Sequence, residues 1–394
     1  MESKRLKFAL FYAVTAMFWF SLYTYVSTLP VYAKGLGASY KMAGVILGSY
    51  GFTQMLLRIP VGILSDKLNR RKIFILLGIT ASLLSGLGLW LSKTPGLLLV
   101  SRGMAGVAAA SWVQFTVLFS SYFEASDATR AMGYLSAFCS LGQVAAMFLG
   151  GIAAQQYGLA APFLVAVIGA VIAYIPGAFI HEGKLERREP VKLLQLLSVA
   201  KDRRFLLVAG VAILLQFQVF STIFGFTPVM AKKIGADSFQ LGLLSTVSTI
   251  PVIFASFLSG SFFAKRFGEK RTIIGGFTIF SLTSILIPYA GSMTFLYVTQ
   301  VIGGFSQGLI FPLLMGLCIR EVEARKRATA MGFFQALYGI GMFIGPVIVG
   351  AINDSAGLTV GFWTAGLIGF AAVMVMLLSG NVGNRATAQA DNKM

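Results

Sequence analysis

The chain has 394 residues, of which 57% are hydrophobic and only 12% charged. A soluble domain carries about twice that charged share, so a water-soluble fold is excluded and the bilayer must be the solvent. The formal net charge of +18 does not indicate nucleic acid, because the basic residues fall in short loops between apolar runs.

The apolar runs, in chain order, are 8–31, 42–64, 73–91, 95–121, 131–153, 160–180, 205–229, 239–263, 272–290, 294–317, 328–352 and 358–379. Each is long enough to cross a hydrocarbon core of ~30 Å as a helix. Lys4-Arg5-Leu6-Lys7 could open a signal peptide, but the run after it reaches Val31 without an A-x-A cleavage pattern. It is read as the first transmembrane helix. Short loops make successive segments antiparallel neighbours. One long charged connection, 181–204, divides the chain. The expected fold is all-α and integral to the membrane. It has twelve helices in two pseudo-symmetric six-helix bundles, 1–180 and 205–394, with 181–204 as a cytoplasmic linker.

Charge sidedness orients this arrangement. Of the 32 Lys and Arg, only Lys34, Lys41, Lys93, Lys232 and Lys233 fall in loops on one side, and Arg58 and Arg102 fall within helices. All the others share the side of both termini, which the positive-inside rule makes cytoplasmic. Cys139 and Cys318 lie in or beside apolar runs with no CxxC or metal spacing. They read as small buried hydrophobes.

The chain repeats itself. Leu29-Pro30-Val31-Tyr32-Ala33-Lys34 returns as Thr227-Pro228-Val229-Met230-Ala231-Lys232, an offset of 198, and Ala131-Met132-Gly133-Tyr134 returns as Ala330-Met331-Gly332-Phe333, an offset of 199. Duplication of a six-helix unit accounts for both. Transporters built from repeats place their sites where the repeats meet, near the bilayer midplane.

After the second run the chain reads Gly62-Ile63-Leu64-Ser65-Asp66-Lys67-Leu68-Asn69-Arg70-Arg71-Lys72. This resembles the G-x-x-x-D-R/K-x-G-R/K-R/K signature of the major facilitator superfamily, with Asn69 in place of the second glycine. Asn tolerates the left-handed backbone that a tight turn needs. Gly62 would permit close helix packing, Asp66 would counter a helix N-terminus, and Arg70, Arg71 and Lys72 would hold the cytoplasmic face. The matching stretch Ser261 to Arg271 keeps the basic character without the aspartate.

Arg102-Gly103-Met104-Ala105-Gly106 is similar to the R-x-x-x-G element of facilitator efflux members. Arg102 lies about 10 Å into its helix at ~1.5 Å per residue. Either it lines a central cavity as a substrate or coupling charge, or it snorkels to the nearer surface. Its repeat partner is Gln300, and Gly106 matches Gly304. Gly142 to Gly151 is similar to the G-x-x-x-G-P-x-x-G-G element of antiporter-type members, but Ala-Met replaces its central Gly-Pro; Gly341 to Pro346 carries Gly345-Pro346 in the other half. There, small residues allow close contact and Pro346 favours bending.

All 14 Asp and Glu fall in loops, tails or helix ends. Proton-coupled export of cations relies on a carboxylate within the membrane, and this chain offers none. Its one histidine, His181, sits at a cytoplasmic helix end. Arg58 reads as snorkelling or as pairing with the signature loop. Neutral groups complete the candidate cavity. Tyr12, Thr15, Trp19 and Tyr23 share a helix face, as do Gln300 and Gln307, and Gln335 with Tyr338 begins the eleventh segment. Buried amides need partners and so should face the interior.

The resemblance spans nearly the whole chain. It implies a monomeric plasma-membrane transporter, of the bacterial inner membrane, working by alternating access. Asp66 would stabilise the outward-facing state through cytoplasmic contacts between the bundles, involving Arg130 and the start of the eleventh segment. The expected substrate is a small organic solute, neutral or anionic, moved by efflux with protons as a possible coupling ion. Uptake or exchange of an organic-anion metabolite is the alternative, and a sensor or interaction protein a more distant one. An enzyme is not expected, since no catalytic constellation, metal site or cofactor site is evident, and the partners are the solute and the lipid bilayer.

Overall fold

The computed structural model describes residues 2–123, 127–182, 202–320, 322 and 327–380. Among these, every regular element is helical. The first half comprises α1 (Glu2–Tyr23), α2 (Leu29–Gly35), α3 (Tyr40–Leu68), α4 (Arg71–Leu91), α5 (Pro95–Ala110), α6 (Trp112–Ser120), α7 (Ala128–Tyr157) and α8 (Ala161–Phe179). The second comprises α9 (Arg203–Ser221), α10 (Thr227–Lys233), α11 (Ser238–Leu258), α12 (Ala264–Phe267), α13 (Glu269–Leu286), α14 (Met293–Arg320) and α15 (Arg327–Leu378). Ten stretches are long and apolar enough to cross a bilayer. One of them, Ala330–Leu378, runs through Gly357, whose φ of 85° bends the chain, and α3 is not among the ten. Most of the expected linker, residues 183–201, lies outside the described residues.

Several runs expected as single helices are broken. The first stops at Tyr23, turns through 24–28 and restarts at Leu29; the seventh passes through a π-helical turn, Thr222–Phe226, before α10. Proline explains both restarts, since Pro30 and Pro228 lack the N–H that would continue the ladder. Hydroxyls next to the breaks bond back to carbonyls one turn earlier. Thr24 donates to the Phe20 carbonyl at 2.6 Å, and Thr222 to the Gln218 carbonyl at 2.7 Å. The two breaks sit at the same repeat offset. The fourth run is also interrupted, at Ser111, whose hydroxyl donates to the Ala108 carbonyl at 2.7 Å. Asn69 is the one non-glycine with positive φ among the described residues, at 51°, and it carries the left-handed turn expected of it.

Contacts group the chain into two units. The first contains Met1–Ala38, Ser49–Val191 and Asp237–Leu243; the second contains Ser39–Gly48, Lys192–Ala236 and Leu244–Met394.

The first unit is held by glycines pressed against carbonyls of a neighbouring helix. A Cβ on Gly106 of α5 would lie 2.2 Å from the Tyr50 carbonyl oxygen of α3, and one on Gly142 of α7 the same distance from that of Ala16 in α1. In the second unit a Cβ on Gly304 of α14 would lie 1.9 Å from the Ser248 carbonyl oxygen, and one on Gly341 of α15 2.0 Å from that of Ile213. Gly106 and Gly304 stand 198 residues apart, as do Tyr50 and Ser248. The repeat therefore extends to packing. Gly62 behaves differently: a Cβ there would meet nothing within 4 Å, so the close packing expected at this glycine is absent.

Candidate functional site

Helix α5 is started by Thr94, whose hydroxyl accepts the Leu97 N–H at 3.4 Å, with Pro95 at the first helical position. Two turns on, the Arg102 side chain is buried, with only 4% exposed. Snorkelling is thereby excluded. Its guanidinium lies 4.5 Å from the ring centroid of Tyr50 and 5.4 Å from that of Tyr25, and it donates to the Tyr25 hydroxyl at 3.3 Å. Its Nε has no partner. Among the described residues no carboxylate pairs with Arg102. Two aromatic faces thus take the place of a counter-ion. Neither tyrosine stands out in the sequence, because Tyr25 comes from the turn after α1 and Tyr50 from α3, and neither shares a spacing with Arg102.

Elsewhere in the first unit, Trp19 is buried and packs on Trp112 at 5.1 Å and on Tyr23 at 5.6 Å between centroids, while its indole N–H has no partner. Tyr23 is half-buried. Tyr12 stacks on Phe138 of α7 at 4.2 Å. Thr15 and Gln114 are fully buried, and the Thr15 hydroxyl and both polar atoms of the Gln114 amide lack partners. Gln114 was not legible as a candidate from its spacing.

Arg58 is also buried, 3% exposed, and donates to the Ala109 carbonyl at 3.3 Å, where α5 gives way to α6. Burial rules out snorkelling for it.

In the second unit Gln300 is buried, its amide N–H 3.5 Å from the Thr299 hydroxyl and its Oε1 without a partner. Gln307, Gln335 and Tyr338 are half-buried. Tyr338 packs edge-on to Phe311 and Phe334, at 5.6 and 5.7 Å. A second polar group that spacing did not reveal is Gln218 of α9, fully buried, whose amide donates to Ser284 at 3.0 Å.

The signature loop forms its own cluster. Asp66 pairs with Arg71, which also donates to the buried Ser65 hydroxyl at 2.8 Å. Arg71 is buried, whereas Arg70 is exposed at the N-cap of α4. Glu182 accepts the backbone N–H of Arg71 and, at 3.3 Å, that of Lys72, satisfying the first donors of α4. Asp66 pairs with Arg71, five residues away; the expected contact with Arg130 lies outside the described residues, as its side chain does. Tyr122 donates to the His181 carbonyl, and burial, then the Glu182 carboxylate, pushes its phenol above the ordinary range.

The basic runs have specific contacts too. Lys72 donates to the Ala178 carbonyl at 2.6 Å, and Lys270 to those of Leu377 and Ser379 at 3.3 and 2.9 Å. Each lysine neutralises a helix C-terminus at matching positions of the repeat. Gly345 packs close to the Phe217 carbonyl of α9, and Pro346 lies within α15.

A polytopic helical membrane protein with buried polar groups inside each unit has the build of a solute transporter. The profile of the Major Facilitator Superfamily matches residues 11–232 and 209–392, and the chain belongs to that family. It is therefore a membrane transporter and not an enzyme. Among relatives, it is 28% identical to the class C tetracycline resistance protein of Escherichia coli, over 85% of each chain. It is 21% identical to the bacillibactin exporter of Bacillus subtilis, over 84% of this chain and 86% of that one. Among solved structures, the nucleoside transporter NupG superposes with a TM-score of 0.78 at 15% identity, covering 94% of this chain and 99% of the other, which shows a shared fold.

Proposed function

We propose that the chain is a secondary active transporter that moves a small organic solute, neutral or anionic, across a bacterial inner membrane by alternating access and in the efflux direction. The proposed architecture is twelve helices in two bundles, 1–180 and 205–394, with the linker 181–204 and both termini in the cytoplasm. The lysine and arginine asymmetry of the loops supports that orientation. The protein works as a monomer in this reading.

The observation that carries the substrate class is Arg102: a buried guanidinium whose Nε N–H has no partner and which no carboxylate among the described residues neutralises. A solute anion, or an electron-rich oxygen of a neutral solute, supplies what the protein withholds. Trp19, Tyr23, Gln300, Gln307, Gln335 and Tyr338 are the remaining proposed contacts, aromatic for the solute's body and amide for its polar groups. Gly62, Asp66, Arg70, Arg71, Arg130, Gly345 and Pro346 are proposed to govern the change of state. The tetracycline resistance protein and the bacillibactin exporter support efflux of an amphipathic organic compound.

The test is transport in everted and right-side-out vesicles under an imposed proton gradient, with wild type, Arg102→Lys and Arg102→Ala. Uptake into everted vesicles that both variants abolish is expected; normal transport by both sinks the anion assignment. A second reading, uptake or exchange of an organic-anion metabolite, is favoured by the lack of a membrane carboxylate to carry a proton. It predicts counterflow without any proton dependence.

A further inference from the structure

The first turn of α3 is fastened to the second unit by one side chain. Tyr40 and Lys41 begin that helix, so their N–H groups have no acceptor within it. Asp354, near the bend of α15, supplies both acceptors: one carboxylate oxygen takes the Tyr40 N–H at 2.7 Å and the other takes the Lys41 N–H at 2.9 Å. From there α3 and α15 run side by side with almost no side chain between them. A Cβ on Gly350 would lie 2.4 Å from the Tyr40 carbonyl oxygen, and one on Gly44 2.0 Å from that of Pro346. Residues 39–48 accordingly cluster with the second unit, while α3 from Ser49 onward belongs to the first.

The first unit contains the same seam displaced along the repeat. A Cβ on Gly242 of α11 would lie 2.8 Å from the Met147 carbonyl oxygen, and one on Gly151 of α7 3.2 Å from that of Phe239. Here Gln155 does the fastening. Its single amide oxygen accepts the Ser238 N–H at 3.0 Å and the Phe239 N–H at 3.4 Å. Ser238 and Phe239 stand 198 residues after Tyr40 and Lys41, and Asp354 stands 199 after Gln155. The glycine positions of the two seams match, with the α3 seam the tighter, and the fasteners differ in kind: a two-oxygen carboxylate facing a helix N-terminus in one, a shared neutral oxygen in the other. Charge-assisted hydrogen bonds are roughly twice as strong as neutral ones, and an anion at a helix N-terminus gains further from the macrodipole.

We propose that Asp354 is a gating latch, a positioning residue that holds the first turn of α3 on the second unit until transport requires its release, and that the Gln155 seam yields more readily. This rests on the alternating-access reading above. A simple helix cap would make the same hydrogen bonds without controlling any opening, so the test must separate the two.

Two readouts on the full chain in lipid nanodiscs do so. The first is amide hydrogen exchange at residues 39–42 and 237–240. The second is the distance distribution between spin labels at Lys41→Cys and Ser355→Cys, both exposed positions, with Cys139 and Cys318 replaced by Ser. Asp354→Asn, which keeps the side-chain shape, should raise exchange of the Tyr40 and Lys41 amides about tenfold and enlarge a longer-distance population. Gln155→Ala should raise exchange at 238 and 239 less, about threefold, and leave the label distances alone. Gln155→Glu should slow exchange at 238 and 239. If the wild type shows two distances and Asp354→Asn leaves their proportions unchanged, the latch is overturned while alternating access stands. A single distance in the wild type and every variant overturns both.

Discussion

Replacing Arg102 by Met separates a residue kept for transport from one kept for the fold. Met fills a similar volume without charge. The loss can be worked from the contacts: two aromatic faces at 4.5 and 5.4 Å from the guanidinium, each about 0.5–2 kcal/mol. One hydrogen bond at 3.3 Å to Tyr25 adds about 1 kcal/mol. Against this stands relief from holding a cation in a site where 4% of the residue is exposed and no carboxylate among the described residues balances it. The desolvation penalty for such a charge is several kcal/mol. The terms nearly cancel, so Arg102→Met should melt within about 4 °C of wild type, with the balance tilted towards stabilisation. Transport should nevertheless fall to background. Melting in detergent with and without lipid, beside vesicle transport normalised to folded protein, reads both quantities. A large fall in melting temperature, with transport lost only in proportion to the folded fraction, would show that the charge is architectural and refute the reasoning.

Four further predictions follow from the packing and the loop contacts. Gly304→Ala would place a methyl 1.9 Å from the Ser248 carbonyl oxygen, forcing α14 off α11 at a cost of about 1–3 kcal/mol or more; Gly62→Ala, with nothing within 4 Å, should melt like wild type. Asp66→Asn leaves the buried Arg71 with Ser65 as its remaining side-chain partner and should destabilise by up to about 3–5 kcal/mol, visible as earlier melting and as altered labelling between states. Lys270→Met removes the cation from three terminal carbonyls and should speed hydrogen exchange at residues 374–380 by severalfold, since such an interaction contributes roughly 0.3–1 kcal/mol. Tyr50→Leu removes the nearer aromatic face from Arg102 while keeping an apolar side chain. It should weaken stability by about 1–2 kcal/mol, seen as a lower melting temperature that Arg102→Met abolishes in the double variant.

Much of the fold was legible because the bilayer leaves little choice. Twenty-residue apolar runs must be helices when no water satisfies the backbone, and the repeated Leu29-Pro30 and Thr227-Pro228 announced the duplication, although not the helix break that each copy carries. The runs themselves could not show that a helix stops at Tyr23 and restarts at Leu29, since hydropathy does not register a missing N–H or a hydroxyl bonded back to its own helix. The candidate site was half legible. Arg102 stands out as a charge in an apolar run, but Tyr25 and Tyr50, which enclose it, carry no local signal. Asp66 pairs with Arg71 five residues away, and the pattern of basic residues after it did not single out which of them it would hold.

The order of residues alone determined that this chain lives in a membrane, that it is helical and that its halves share an ancestor, because each follows from the cost of unsatisfied backbone in hydrocarbon or from the register of a repeat. Tertiary structure alone decided what each charge faces. Arg102 lies between two aromatic rings, Arg58 on a backbone carbonyl, and Asp354 and Gln155 on equivalent helix starts. A charge's energy depends on its neighbours in space, and those neighbours come from helices far apart in the chain.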